Sequence, residues 1–483
     1  MVSTTKDKRP DILLIMPDQM RGDCLSLEGH PVLQTPNIDD LGLRGMHFTR
    51  AYTTCPSCIP ARRAMLSALH PASPGNGMTG FRERHELHAP VFPQLLHDGG
   101  YHTTIVGRHM HQFPYDKPYG FADRTYATAY QDDDEYAQEF EAAFPGQGGL
   151  KSHGLSSNGQ TVRPWQFPDA WHPTTWIANR TRQKLVAAPD DRPHFLTASF
   201  FAPHPPLLPP ACYYERYLAM DLPPRALGDW TVPPDERDWL RFWRSHIERN
   251  RIDLDGARLH QARAGYYGLI NHIDDQVFTM CFEFRRHCAR RGRPGVIVFT
   301  TDHGEMLADH YLWHKCEPYE ASSRIPFLIQ GTDDLGFVRG ARHDAPVCLE
   351  DIGPTLLELA GLAPMENVDG RSLVPILRGL GGPVREIIHG EHATAYDEHQ
   401  AFQMLTDGRM KYIWRPHSGA EQLFDLTTDP QECINLAAKP ERATEVSRWR
   451  DRMIEQLQDR PEGFVSEGKL VAGQPYPDLV PAD

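Results

Sequence analysis

Four short runs, each broken off by polar residues able to do chemistry, constrain this chain more than any other feature. Asp11–Met16 and Val296–Thr300 are brief and almost continuously apolar, and Tyr101–Val106 and His194–Phe200 are strand candidates that mix apolar with small polar residues and histidine. Such runs read as strands buried on both faces, as in a parallel sheet covered by helices. They lead into Asp18-Gln19, Arg108-His109 with His111, His204 in a proline-flanked loop, and Asp302-His303. Ligands of open α/β sheets bind beyond the carboxyl ends of the strands. One sheet edge is therefore expected to gather all of these side chains.

Helical patterns fill the intervals. Thr35 is expected to cap a helix that Gly45 ends, and helices are expected near 91–98 and 173–186. Over 257–290, Leu259, Ala262, Tyr266, Leu269, Ile273, Val277, Met280 and Phe284 recur at steps of three or four, the clearest helix in the chain. Residues 349–360 are expected to close the main domain. From about residue 384 the pattern changes to short segments separated by turns such as Asp407-Gly408, which predicts an antiparallel sheet, followed by a helix near 441–458. The division is a catalytic α/β domain over 1–380, a C-terminal sheet-and-helix subdomain over 381–460, and a tail over 461–483 that reads as an oligomerisation arm. Residues 115–190 read as an insertion shaping the substrate entrance, with Tyr115, Tyr119, Trp165 and Trp171 suited to an aryl or sugar ring; His389–His392 and the tail are expected beside it. Residues 207–234 read as connection.

The stretch Thr53–Pro71 holds Cys58, Pro60 and Arg62. Pro60 suits a first helical position, which places Cys58 just before a helix N-terminus. Unpaired N–H groups and the positive end of the dipole favour an anion there, and Arg62 adds a fork of donors. Cys55-Pro-Ser-Cys58 is equally a CxxC that fits a redox pair or half of a zinc site, although the other cysteines are scattered.

The chain has 483 residues and a formal net charge of -14, without a basic run, which argues against nucleic acid and requires an anion site to carry its own positive charge. Nine cysteines without a framework spacing point to a reducing compartment. The polar start and the short first apolar run suggest neither a signal peptide nor a membrane span, so a cytoplasmic protein is expected.

Asp18, Asp302, the Gln19 carbonyl and the His303 imidazole make a plausible set for a hard divalent cation. Arg62, Arg108 and Lys315 bring the positive charge. Together they point to a metal-assisted hydrolase of a tetrahedral oxyanion ester.

These segments resemble those of the type I sulfatases of the alkaline phosphatase superfamily. Cys58-Ile-Pro60-Ala61-Arg62 is similar to that family's Cys-x-Pro-x-Arg. Thr301-Asp302-His303-Gly304-Glu305 with His310, Trp313 and Lys315 is similar to its second metal-and-lysine segment, and Phe200-Phe-Ala-Pro203-His204 to its histidine loop. Gln422–Leu426 with Asp429-Pro430, Glu432, Asn435 and Leu436 is similar to its C-terminal sheet. The resemblance implies an alkaline phosphatase-like α/β fold: a large mixed, mostly parallel central sheet flanked by helices, plus a small C-terminal α+β domain with an antiparallel sheet.

It also implies a sulfuric ester hydrolase of the arylsulfatase type that converts small aryl or sugar sulfate monoesters to alcohol and inorganic sulfate. A maturation enzyme would oxidise Cys58 to formylglycine. One hydroxyl of its geminal diol, on a divalent metal, would attack sulfur in line and expel the alcohol; the second would lose its proton as the hemiacetal collapses and releases sulfate. By motif position Asp18, Gln19, Cys58, Asp302 and His303 hold the metal and Arg62 orients the diol. His204, Lys315 and Arg108 bind sulfate oxygens, with His204 or Lys315 assisting the leaving group. His111 takes the proton of the collapse step, with His109 the alternative. Gln19 stands where a second aspartate is common and His303 where asparagine is, so Ca2+ is the usual metal and Mn2+ the alternative. Ala61, where serine is typical, resembles the phosphonate monoester hydrolases of the superfamily, so phosphonate monoester or phosphodiester hydrolysis is the alternative activity. A homodimer or homotetramer is the expected assembly.

Overall fold

The computed structural model describes residues 8–110, 112–128, 131, 133–148, 152–233, 254, 256–394 and 400–480. The apolar runs form strands of one eight-stranded sheet. In chain order its members are β1 (Asp11–Asp18), β2 (Met46–Phe48), β3 (His102–Gly107), β4 (Asp123–Tyr126), β5 (His194–Pro203), β6 (Gly295–Thr300), β7 (Phe327–Gly331) and β8 (Ala341–His343). Across the sheet the order is β4-β3-β5-β1-β6-β7-β2-β8. Every neighbouring pair is parallel except those that β7 makes with β6 and β2. The central strands β3, β5, β1 and β6 therefore point the same way and present their carboxyl ends side by side.

Both faces of β1 are buried because its side chains alternate between two apolar layers. Leu13 and Ile15 pack into the layer holding α4 (Pro173–Ala187) and α5 (Gly256–Arg291); Ile12, Leu14 and Met16 pack into the one holding α2 (Cys58–Ser67) and α3 (Phe92–Asp98). Thr35 stands at the N-cap of α1 (Pro36–Arg44), but its hydroxyl donates to Asp39 (2.8 Å) rather than capping a backbone N–H.

Several expectations are corrected. Cys58 is the first residue of α2 rather than the residue before it, and Ser57 is the N-cap; the first turn closes from Ala61 N to Ser57 O (2.9 Å), so Pro60 sits third. The segment expected as an insertion supplies β4, an edge strand of the main sheet, and α4, whose Trp176, Ile177 and Leu185 belong to the core. The stretch expected as connection contains the helix Ala211–Leu218, with Tyr214 and Tyr217 buried. β2 and β8 are three residues each, too short to leave a period in the sequence.

The C-terminal sheet is antiparallel: β9 (Ile388–His392), β10 (Phe402–Thr406), β11 (Met410–Trp414) and β12 (Glu421–Asp425) lie in sequence order. Strand alternation splits its side chains. Leu405, Tyr412, Trp414 and Leu423 pack under the helix Ala443–Leu457; Phe402, Met404, Ile413 and Phe424 pack on Met306, Leu312 and Tyr319 of the larger unit. Residues of the tail run back along their own chain: Thr79 N and Gly80 N donate to Asp478 O (2.9 and 3.1 Å), and Val480 N donates to Gly77 O (3.0 Å).

Lys411 of β11 fastens the C-terminal sheet to the segment that precedes β7. Its ammonium lies 2.8 Å from Glu320 Oε1 and 3.1 Å from Glu432 Oε1, donates to Pro318 O (2.8 Å), and is fully buried. Removing one partner from such a group strands the remaining charges in a dry interior. Lys411→Met is therefore expected to cost about 3–5 kcal/mol, read as a lowered urea midpoint.

Candidate active site

The four central strands deliver their side chains to one edge. Asp18 ends β1, Arg108 follows β3, His204 follows β5, and Asp302-His303 lies just past β6. Gly304 next to them lets two backbones touch, since a Cβ there would lie 2.0 Å from Ala321 O. The N-terminus of α2 brings Cys58 to the same place. Its Sγ is 3.1 Å from His303 Nε2 and 3.8 Å from Asp18 Oδ1.

Asp18, Cys58, Asp302 and His303 are all buried, and their donor atoms lie within 4.8 Å of one another. His303 donates its Nδ1–H to Gly304 O (2.9 Å), so Nε2 turns its lone pair toward the group. Two carboxylates, an imidazole and the side chain at position 58 fit a divalent cation.

Arg62 balances the carboxylates. Its Nη2 donates to Asp18 Oδ2 (3.0 Å), its Nε to Asp302 Oδ2 (2.9 Å) and its Nη1 to Ser199 Oγ (3.1 Å). Arg108 Nε is 3.0 Å from Asp18 Oδ2, and its guanidinium lies over the Phe201 ring. Burial pushes the Asp18 carboxyl well above its ordinary value, against the pull of Arg108. Burial also pushes Asp302 up, but His303 and Arg62 beside it outweigh that and hold this carboxyl well below the usual range.

Lys315 forms the other flank. Its Nζ donates to Gln19 Oε1 (2.7 Å) and to His204 Nε2 (2.9 Å), while His204 Nδ1–H donates to Pro205 O (2.6 Å). Burial, then the charges of Lys315 and Arg108, depress the His204 imidazole well below its ordinary value, so it stands neutral. Cys316 N donates to Pro56 O (2.8 Å), which ties the Lys315 loop to the Cys58 loop.

Other expected residues fall elsewhere. His109 is not at the site. Its Nε2 donates to Lys117 O (3.1 Å), its Nδ1 accepts from Met110 N (2.6 Å), and its ring stacks on Tyr126; burial lowers its pKa to about 4. His111 lies outside the described residues. Trp165 and Trp171 pack with Phe140 rather than facing a substrate, and Tyr119 packs edge-on to His109. Cys55 and Cys58 are unpaired, and the Cys55 thiol is directed at Thr79 O (3.7 Å), away from a shared site. A second grouping, His70, His389 and Glu391, is held by its own contacts: Glu391 accepts from Arg460 (3.0 and 2.9 Å) and the two imidazoles stack at 19°, so their lone pairs do not converge.

Three further groups shape the site. Glu305 accepts from Gln19 Nε2, the Tyr266 hydroxyl donates to Gln19 O (2.6 Å), and Ser199 meets Arg62. Glu305 is visible within its motif, whereas Tyr266 reads only as one more apolar position of a helix.

Residues 10–362 match the family model described as Sulfatase, and residues 308–460 the one described as N-sulphoglucosamine sulphohydrolase, C-terminal. An arylsulfatase of Clostridium perfringens is 32% identical over 98% of this chain and 99% of its own length. A choline-sulfatase of Rhizobium meliloti is 28% identical over 89% of this chain and 83% of its own. The solved phosphonate monoester hydrolase of Agrobacterium radiobacter shares the fold, with a TM-score of 0.75 over 97% of this chain and 100% of that one, at 24% identity.

Arg62→Ala leaves two buried carboxylates without their shared countercharge. A loss of about 3–5 kcal/mol is expected in metal-free protein. Added Ca2+ or Mn2+ should recover part of it, read as a larger rise in Tm than the parent shows.

Proposed function

The chain belongs to the sulfatase family, and on that premise we propose that it is a sulfuric ester hydrolase that splits a sulfate monoester into an alcohol and inorganic sulfate. The observation that carries this reading is the convergence of Asp18, Cys58, Asp302 and His303 at a helix N-terminus, flanked by the Lys315–His204 pair. That arrangement joins a cation site to an anion site.

A divalent cation, Ca2+ or Mn2+, would be held by Asp18, Gln19, Asp302, His303 and residue 58, and would polarise a bound oxygen and favour its deprotonated form. At position 58 the thiol stands where formylglycine, once made by a maturation enzyme and hydrated, would offer two hydroxyls: one to attack sulfur, the other to give up its proton as sulfate departs. Arg62 holds Asp18 and Asp302 apart from each other's charge and keeps the α2 N-terminus against them. Lys315 and Arg108 supply positive charge for the sulfate oxygens that the acidic chain otherwise lacks. The neutral His204 imidazole accepts from Lys315 and orients the ammonium toward the leaving oxygen, to which Lys315 can pass a proton. His111 is our assignment for the base of the last step.

Ala61 in the cysteine motif favours a second reading, hydrolysis of phosphonate monoesters or phosphodiesters at the same site. All nine cysteines are unpaired, which supports a reducing compartment such as the cytoplasm. Among the described residues no helix is long and apolar enough to cross a membrane.

Peptide mass spectrometry of Ala51–Arg62, from protein co-expressed with a maturation enzyme, should show that Cys58 has exchanged its sulfur for an aldehyde oxygen while Cys55 is unchanged. Turnover by protein with an intact Cys58 thiol would sink the formylglycine assignment. Paired aryl sulfate and aryl phosphonate esters should then show the larger kcat/KM for the sulfate; the reverse order selects the second reading.

A further inference from the structure

Gln19 sits at the centre of a tightly determined turn. Its φ of 67° is in the left-handed region, which a residue with a side chain occupies only when its surroundings hold it there. Gln19 N donates to Asp302 Oδ1 (3.1 Å) and Met20 N to Thr301 Oγ1 (3.2 Å). The Tyr266 hydroxyl donates to Gln19 O (2.6 Å) and accepts from Arg21 N (3.0 Å). The backbone is thus clamped on both sides.

The carboxamide still has two orientations, and its neighbours choose between them. An ammonium only donates, so Lys315 Nζ, at 2.7 Å, requires the amide oxygen. Glu305 faces the other end. Its Oε2 accepts from Gln19 Nε2, and its Oε1 accepts from Leu307 N (2.9 Å) and His314 N (2.6 Å). Both side chains are buried, so water cannot take over either role. A flipped amide would set its NH2 against the ammonium and its oxygen against the carboxylate.

We propose that Glu305 is the positioning residue that fixes the Gln19 carboxamide with its oxygen toward Lys315, the orientation that leaves that oxygen available as the metal donor named above. Glu305 also returns, one side chain further back, the negative charge that the neutral Gln19 lacks. The proposal rests on the metal reading given above for this site.

In Glu305→Gln the carbonyl keeps the two backbone N–H groups and the new NH2 opposes that of Gln19. Gln19 then flips and turns donors toward Lys315 and the cation. Exchanging the pair, Gln19→Glu with Glu305→Gln, restores an acceptor at both contacts.

The test is titration of metal-free protein with Mn2+ against a chelating dye, with circular dichroism to confirm folding and no substrate present. Glu305→Gln is expected to bind Mn2+ about 10–100-fold more weakly, and the exchanged pair to recover parental affinity or exceed it. Parental affinity in folded Glu305→Gln overturns the proposal. So does a folded exchanged pair that does not regain binding. If Glu305→Gln does not fold, the exchanged pair decides alone: folded with parental binding supports the proposal. Failure of both to fold overturns it, because the carboxylate would then be required for structure at position 305 rather than for orientation. A parent protein that takes up neither Mn2+ nor Ca2+ removes the metal reading itself, and this proposal with it.

Discussion

The bidentate bridge from Arg62 to Asp18 and Asp302 is the contact on which the rest of the structure depends. β1 and β6 are adjacent and parallel, so their ends hold two carboxylates close together in a dry interior. Two such charges cannot share that space without a cation. Arg62 supplies it from the second turn of α2. Because a guanidinium is planar and forked, meeting both carboxylates also fixes where the first turn must lie, and with it Cys58. Placing position 58 and neutralising the metal ligands are one event.

Around this core, polar groups are arranged by direction as much as by charge. His303 gives its Nδ1–H to a carbonyl and keeps Nε2 for the site; His204 does the same and turns its Nε2 to Lys315. Gln19 takes its orientation from a donor on one side and an acceptor on the other. Such chains leave each group one role, because a reversed amide or tautomer would bury an unmatched polar atom. The C-terminal sheet contributes from behind: Arg415 pairs with Glu317 (3.1 Å), two residues past Lys315, and Lys411 pairs with Glu320. The lysine loop is thus held between two sheets.

Much of this was legible in the residues. The apolar runs marked β1, β3, β5 and β6 because strands buried on both faces have no other composition available to them. Polar residues placed directly after such runs can only lie at the strand ends. The α5 periodicity was long enough to be unambiguous, and alternation with turns announced the C-terminal sheet. The failures have equally physical causes. β2 and β8 are too short to carry a period, and β4, with four half-buried residues, lacks an apolar face. The aromatics of residues 115–171 read as a substrate wall because large rings suit ligands and cores alike; Tyr119, Trp165 and Trp171 pack against other rings, whereas Tyr115 is exposed.

Residue types and their order by themselves determined the α/β class, the gathering of Asp18, Arg108, His204 and Asp302-His303 at one edge, and the chemistry that these groups share. Local composition is enough for that, since burial and strand direction follow from short patterns. Only the tertiary structure decided which groups meet. It paired Arg62 with both aspartates, directed His109 into an aromatic cluster, separated Cys55 from Cys58, and set Glu305 behind Gln19. Those outcomes depend on contacts between residues up to 286 positions apart, and on hydrogen-bond directions that no local pattern carries.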